Sequence, residues 1–237
     1  MLTRGLLVFL PFILSPAAEL RTSAPAPVAI VVGFMGGFVG PNDKLHAEVQ
    51  LAKRLSDAYP STLQVRMFEN HRGDQARREI LRLLDTDRDG SLSADEKSNA
   101  RIAIFGHSWG GSETVTVARA LGQEGIPILL TVQVDSVQKP GEDDASIPAN
   151  VSQAINFYQS AGLVHGRSKI RAADASHTRI LGNFRLDYKT TPVSCEGYPW
   201  FARVFMRPHI EIESDPAVWR QVEGLIRSKL LLNPRSE

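Results

Sequence analysis

The sequence predicts an α/β fold with a mostly parallel sheet, and three observations support that prediction. Short runs rich in apolar and β-branched residues alternate with amphipathic stretches of helical period through the first half of the chain. Two of these runs, 28–32 and 126–134, are almost wholly apolar, as strands buried on both faces of a sheet require. A third run ends directly in a glycine-flanked serine. Alternation of strand and helix in this order implies parallel strands joined by right-handed crossovers.

The strand and helix assignments follow the change of period along the chain. We expect strands at 28–32, 63–68, 102–105 and 126–134, and helices at 44–59, 75–84 and 112–121. The second half is less regular: 150–159 reads as a helix or an extended segment, 178–186 and 198–206 as strands, and 215–232 as a helix. Asp215 and Pro216 suit the cap and first turn of that last helix.

Composition predicts one globular domain with an ample core. The chain has 237 residues, 43% of them hydrophobic and 22% charged. Its 27 basic and 26 acidic residues give a net charge of +1, and no basic block is present, so nucleic acid is not expected as a partner. Cys195 is the single cysteine, which rules out an internal disulfide. Composition leaves the oligomeric state open.

The amino terminus has the layout of a secretory signal peptide. A basic start at Arg4, an apolar run at 6–14 and small residues up to Ala18 fit that class of segment. We therefore expect a signal peptide at 1–18, a linker at 19–27 and the folded domain at 28–237. The prediction is a secreted or periplasmic protein with no stable membrane span after signal removal. The alternative is a chain anchored to the membrane by an uncleaved amino terminus.

The glycine-flanked serine predicts a nucleophile elbow. Gly106, Ser108 and Gly110 form a G-x-S-x-G motif between the strand run 102–105 and the helix 112–121. A turn this tight leaves no room for side chains beside the serine, which explains a glycine two residues to either side. Ser108 is the candidate nucleophile; an ordinary glycine-rich strand-to-helix turn is the alternative.

Residues 85–96 match a twelve-residue calcium loop of the EF-hand type. Carboxylates occupy positions one, three, five and twelve, Gly90 stands at the sharp turn at six, and apolar Leu92 stands at eight. A hard cation with six or seven oxygen ligands needs this density of oxygens. The pattern assigns as ligands Asp85, Asp87, Asp89, Ser91, Ser93 and Glu96.

The resemblance to EF-hand proteins covers only this loop and its entering helix, 75–84. The next strand begins near Arg101, which leaves no room for a normal exit helix, and no second loop is present to pair with the first. We therefore expect a structural Ca²⁺ site rather than a sensor. The alternative is a solvated acidic loop without an ion.

From residue 28 onward the chain resembles the α/β-hydrolase family. The residues that carry the resemblance are Gly33 and Phe34, the motif at 106–110, Asp135 and His209. It implies an α/β-hydrolase-like three-layer sandwich into which the calcium loop is inserted. It also implies a triad in the chain order nucleophile, acid, base.

For the triad, the resemblance and the strand positions favour Ser108, Asp135 and His209. A hydroxyl nucleophile needs a base, and the base needs an orienting carboxylate. Asp135 ends the strand that follows the elbow strand, and His209 precedes the final helix; the alternatives are Asp187 for the acid and His177 for the base.

An oxyanion hole needs two backbone N–H groups. The family pattern assigns one to Trp109, directly after the nucleophile, and the other to Phe34 or Met35 in the loop after the first strand.

These features predict an exported serine hydrolase that cleaves a carboxylic ester or thioester through an acyl-enzyme and carries a structural calcium site. The expected substrate is a small-molecule ester or a lipid-like molecule, and its identity stays open. The alternative is a non-catalytic calcium-binding protein on a hydrolase scaffold, because a fold alone does not determine function.

Overall fold

A computed structural model describes residues 29–231 of the chain. In chain order the elements are β1 (Ala29–Phe34), α1 (Ala47–Ala58), β2 (Leu63–Phe68), α2 (Gly73–Leu84), α3 (Ala94–Ser98), β3 (Arg101–His107), α4 (Trp109–Gln123), β4 (Leu130–Val134), β5 (Ser146–Ile147), β6 (Gln153–Tyr158), β7 (Arg171–Ala172), β8 (Arg179–Arg185), α5 (Trp200–Phe205), α6 (Arg207–Ser214) and α7 (Pro216–Leu230). Six of the strands form one sheet in the order β2-β1-β3-β4-β6-β8, and β5 and β7 form a separate two-stranded pair.

All neighbouring strands of the main sheet run parallel. In β1, for example, Val31 lies opposite Val65 of β2 on one side and Ala103 of β3 on the other. Parallel strands end at a common edge, so the carboxyl ends of β1, β3, β4 and β6 meet there. This edge positions the candidate site.

Helices cover both faces of the sheet. Alternate strand residues such as Ile30 and Ile104 pack against α2 and α4, while Val31 and Phe105 face α1 and α7. Burial of one such large aliphatic or aromatic side chain contributes about 1.5–3 kcal/mol. The predicted three-layer α/β sandwich is confirmed, and its main sheet is wholly parallel.

Two segments of the second half correct or resolve the sequence-based expectations. The prediction of a strand at 198–206 is wrong, because Trp200–Phe205 forms the short helix α5. The apolar and aromatic residues of this segment favour a strand only where they pack on a sheet. Here Pro199 caps the helix, and only Ala202 of its six residues is buried. The segment 150–159 takes the extended alternative, since Gln153–Tyr158 is a sheet strand between β4 and β8.

Within 29–231, no helix is long and apolar enough to cross a membrane. The predicted signal peptide and linker lie outside the described residues, as does the end of the last predicted helix.

Candidate active site and calcium loop

The serine of the G-x-S-x-G motif lies on a strained turn between β3 and α4. Ser108 has φ 56° and ψ −126°, a backbone conformation that non-glycine residues rarely adopt. A Cβ added to Gly106 would lie 2.3 Å from the Gly110 carbonyl carbon, and one added to Gly110 would lie 2.2 Å from the Phe34 carbonyl oxygen. Both glycines are therefore required by close backbone approach, which is the geometry expected of a nucleophile elbow.

The structure brings Ser108, His209 and Asp135 into one hydrogen-bonded relay. Ser108 Oγ lies 2.9 Å from His209 Nε2, and His209 Nδ1 lies 2.6 Å from Asp135 Oδ2. With Nδ1–H donating to the carboxylate, Nε2 is left to accept the serine proton. All three side chains are buried, at 8%, 2% and 0% exposure respectively. The arrangement can activate a hydroxyl as a nucleophile.

The carboxylate of Asp135 has a full set of donors besides His209. Its Oδ1 accepts hydrogen bonds from the backbone N–H of Gln159 at 3.0 Å and of Gly166 at 2.8 Å. The Gln159 side-chain amide donates to Oδ2 at 2.8 Å. Burial alone would raise the pKa of Asp135, but the hydrogen bonds from His209 and Gln159 outweigh burial and hold it below its ordinary value. The acid is thus kept ionised and fixed in orientation.

The alternative acid and base do not reach this relay. Asp187 is exposed and accepts a hydrogen bond from the Lys189 backbone. His177 is 66% exposed at its side chain and contacts its sequence neighbours Asp174 and Ser176. Neither side chain is hydrogen-bonded to Ser108, His209 or Asp135.

The two expected oxyanion donors behave differently. Trp109 is the first residue of α4, so its N–H has no partner within the helix and lies next to the nucleophile. The Met35 N–H donates to the Phe68 carbonyl at 2.9 Å, which corrects its assignment as a free donor. Phe34 belongs to β1, and its side chain is fully buried. Gly36 is the loop residue beside the serine: a Cβ built there would lie 3.0 Å from Ser108 Cβ.

Apolar side chains are exposed on segments that adjoin, along the chain, those that carry Ser108 and His209. Phe38 is 96% exposed and contacts Trp109 edge-to-face, with ring centroids 5.5 Å apart. On α5, just before the helix that carries His209, Trp200, Phe201 and Phe205 are each more than half exposed. Such a concentration of exposed aromatic residues is typical of a surface that binds apolar ligands.

Gln159 and Gly166 are site residues that the sequence reasoning missed. Gln159 directly follows β6, so its place at the carboxyl edge was readable only if 153–158 had been assigned as a strand. Gly166 lies in an irregular loop, and a Cβ there would meet Asp135 backbone atoms at 2.4 Å. No local motif marks either residue.

The loop at 85–96 adopts a compact turn that brings three of its carboxylates together. One oxygen each of Asp85, Asp87 and Asp89 lie within 4.8 Å of one another. Gly90 has φ 87° and donates its N–H to Asp85 Oδ2 at 3.1 Å. A backbone hydrogen bond from Asp89 lowers the pKa of Asp87, but partial loss of hydration and the neighbouring carboxylates raise it above its ordinary value. The crowded carboxylates fit a cation.

Glu96, Ser91 and Ser93 make hydrogen bonds within the loop. Glu96 accepts hydrogen bonds from Thr86 through Oε1 and from Ser93 through Oε2, so its carboxylate closes the loop without joining the three aspartates. Ser93 and Glu96 form a capping box at the start of α3, and Ser91 donates to Asp89. The loop is thus followed by a short exit helix of five residues, α3, although the sequence predicted that a normal exit helix would not fit before β3.

Comparisons with known proteins give only distant matches. No protein-family model matches the sequence, and a search of curated proteins gives no match. Among solved structures, a cutinase-like protein from Cryptococcus sp. aligns at 14% identity and TM-score 0.46, covering 86% of this chain and 96% of that one. A dienelactone-hydrolase-like promiscuous phosphotriesterase from metagenomic libraries aligns at 15% identity and TM-score 0.45, covering 88% and 89%. The match to an arylesterase has 17% identity and TM-score 0.32, and spans 46% of this chain but 36% of that one.

Strand order, helices on both faces and the serine turn at the carboxyl edge together define an α/β-hydrolase-like fold.

Proposed function

We propose that the protein is a serine hydrolase that cleaves a carboxylic ester or thioester through an acyl-enzyme. The observation that carries the proposal is the buried relay from Ser108 Oγ through His209 to Asp135, set on a strained turn. Strain of this kind persists only where the surrounding structure imposes it, and it is concentrated at functional sites. A scaffold without chemistry would have no need to keep Ser108 in this conformation.

In the proposed reaction Ser108 Oγ attacks the carbonyl carbon while His209 Nε2 takes the hydroxyl proton. The Trp109 N–H stabilises the oxygen that becomes negative, and the position of Gly36 beside Ser108 makes it the candidate second donor. Collapse of the tetrahedral intermediate breaks the bond to the leaving alcohol or thiol, which receives the proton from His209. Water then attacks the acyl-enzyme by the same steps, with His209 as the base, and releases the acid.

The substrate we propose is an ester or thioester with an apolar acyl group. Phe38 and the exposed aromatic residues of α5 border the segments that carry Ser108 and His209. Turnover of p-nitrophenyl esters should rise from acetyl to medium acyl chains, since each added methylene that contacts this surface contributes up to about 0.8 kcal/mol. Flat or falling turnover along the series would oppose an apolar acyl site.

A fluorophosphonate probe tests the enzyme proposal directly. We expect covalent labelling of the wild type at neutral pH and none in Ser108→Ala. Ser176→Ala is the matched control, because Ser176 also lies 3.0 Å from a histidine nitrogen beside an aspartate, but on the exposed surface. Its labelling should equal that of the wild type. No labelling of any variant from pH 6 to 9 in the presence of calcium would favour the non-catalytic alternative.

We further propose that the loop at 85–96 holds Ca²⁺ as a structural ion. The three gathered aspartates and the turn at Gly90 support this. Ion binding would require Glu96 to exchange its bonds to Thr86 and Ser93 for the cation. The residues that would hold it are Asp85, Asp87, Asp89, Ser91, Ser93 and Glu96.

Export is part of the same proposal and rests on the sequence of residues 1–18 alone. Sequencing the amino terminus of protein recovered from an exporting host tests it, with Ala18 or Glu19 expected near the start.

A further inference from the structure

A second group of ionisable side chains lies against the catalytic histidine. It consists of His46, Glu48, His107 and Glu213, and is called the buried cluster below. All four residues are at most 9% exposed. The rings of His107 and His209 have centroids 4.5 Å apart. Neither the proposed relay nor the calcium loop uses these four side chains.

The buried cluster is incompletely hydrogen-bonded. Glu48 is fully buried, yet neither of its carboxylate oxygens has a hydrogen-bond partner, and His107 Nε2 has none either. Within the cluster His46 Nδ1 and Glu213 Oε1 are in hydrogen-bond contact, and the Glu48 carboxyl can reach Glu213 only when one of the two carries a proton. The buried carboxylates of Glu48 and Glu213 thus lie close to each other. Among residues 29–231 neither has a lysine or arginine within ion-pair distance. Buried carboxylates without a cation are unfavourable.

The spacing of the donor atoms fits an ion in their midst. One ligand atom each of His46, Glu48 and Glu213 lie within 4.8 Å of one another. His107 Nδ1 lies 3.6 Å from Glu48 Oε1 and 3.5 Å from Glu213 Oε2, too far for hydrogen bonds. Tetrahedral ligands at about 2.0–2.2 Å from a metal are about 3.3–3.6 Å apart, so these two distances match edges of such a site. His46 and Glu213 are in hydrogen-bond contact instead, so an ion would have to replace that hydrogen bond.

We propose that the buried cluster binds one divalent transition-metal ion, with Glu48, Glu213 and His46 as ligands and His107 as the fourth. Two imidazoles and two carboxylates are a donor set suited to Zn²⁺, and a charge of +2 balances the two carboxylates. His46 is the least buried member, and Asp43, with a half-exposed side chain, lies 3.9 Å from its Nε2. This pair offers an entry path from solvent.

Such an ion would join three elements that position the relay. His46 and Glu48 stand at the start of α1, His107 directly precedes Ser108, and Glu213 lies one helical turn after His209 on α6. The ion would fix the nucleophile and the base relative to each other without taking part in the reaction. Its existence depends neither on the hydrolase proposal nor on the calcium loop.

Metal content tests the proposal without reference to activity. The full-length protein is incubated with ZnCl₂, freed of excess metal by gel filtration and analysed by plasma mass spectrometry and thermal denaturation. We expect about one tightly held zinc per chain and a higher Tm than that of the chelator-treated protein. Glu48→Gln and His46→Gln should each weaken zinc binding at least tenfold. Asp87→Ala with Glu96→Gln, which alters only the calcium loop, is the control and should retain the zinc.

Two results would overturn the proposal. The first is that the wild-type protein retains no zinc and has the same Tm with and without added zinc. In that case a proton on Glu48 would relieve the repulsion between the two buried carboxylates. The other is zinc retained equally by wild type, Glu48→Gln and His46→Gln, which would place the ion elsewhere. If one of the two variants fails to fold, the zinc content of the other variant can still be compared with that of the wild type.

Discussion

The two ends of β3 carry polar clusters that differ in how they are satisfied. Next to its carboxyl end, Asp135, which directly follows the neighbouring strand β4, is fully buried and receives four hydrogen bonds from His209, Gln159 and Gly166. Before its amino end, Asp85, Asp87 and Asp89 crowd together in a loop that is largely exposed. The first cluster is complete within the protein, whereas the second has more negative charge than its own N–H groups can balance. The Ser108–His209–Asp135 relay thus has its carboxylate satisfied by protein donors, whereas the three aspartates of the loop lie close together with like charges.

The length of β3 separates the two clusters. The strand has seven residues, Arg101–His107, so at about 3.3 Å per residue its ends lie about 20 Å apart. A cation at the loop is too distant to polarise a carbonyl bound at Ser108. The comparison therefore predicts that changes at one end affect turnover and changes at the other affect stability.

The largest expected effect is on turnover, from removal of the base at the carboxyl end. His209→Ala should lower kcat by three or more orders of magnitude while the protein stays folded, because truncation of one triad member disables the whole unit. His177→Ala is the control, since that histidine is exposed and contacts only near neighbours in sequence. Ester hydrolysis and thermal denaturation of both variants are the measurements; equal losses in the two would remove His209 from its assigned role.

The second expected effect is on stability, from removal of calcium at the amino end. At a calcium concentration one hundred times the Kd, binding adds about 2.7 kcal/mol to the free energy of unfolding. For a domain of this size that corresponds to a Tm shift of roughly 5–10 °C. Chelation with EGTA, or Asp87→Ala combined with Glu96→Gln, should lower the Tm by this amount. Activity at low temperature should persist.

Activity that disappears on chelation at an unchanged Tm would contradict this separation of roles and place calcium at the active site. EGTA also binds zinc, so the double variant tests the loss of calcium alone more specifically than chelation does. Its zinc content should equal that of the wild type.

The serine turn at the carboxyl end could be predicted from sequence because it depends on local close packing. Ser108 is marked by its glycines, and Asp135 by its place after a continuous apolar run. Strand β2 has the bounds that periodicity predicts, 63–68, since its apolar residues are framed by polar turns. These are local signals.

The features that sequence could not give are those decided by distant contacts. Gln159 contacts Asp135 only because β6 lies beside β4 in the sheet, a pairing that no local pattern encodes. The occupation of the Met35 N–H by the Phe68 carbonyl follows from the pairing of β1 with β2. Helix α5 has the composition of a strand, yet it lies outside the sheet with its aromatic residues exposed.

The smallest expected effect comes from an ion-pair network that attaches the helix entering the calcium loop to the sheet. Glu79 of α2 accepts hydrogen bonds from Arg66 of β2 at 2.9 Å and from Arg82 at 2.7 Å. The hydrogen bond from Arg82 is the main cause that lowers the pKa of Glu79 to about 2, with Arg66 adding to it against the effect of burial. Because the side chains are partly exposed, we expect Glu79→Gln to cost only about 0.5–1 kcal/mol at neutral pH.

The contribution of Glu79 to the free energy of unfolding should decrease at acidic pH. The pKa of Glu79 in the folded protein, about 2, is below that of an unfolded glutamate, about 4.3. Its stabilisation is therefore complete above about pH 5 and decreases as the pH falls from 4.3 towards 2. Urea denaturation of wild type and Glu79→Gln at pH 7 and pH 3.5 should show a smaller difference at the lower pH. A difference that grows on acidification would mean that Glu79 is bound as the neutral acid, and that the link from the calcium loop to the sheet does not depend on charge.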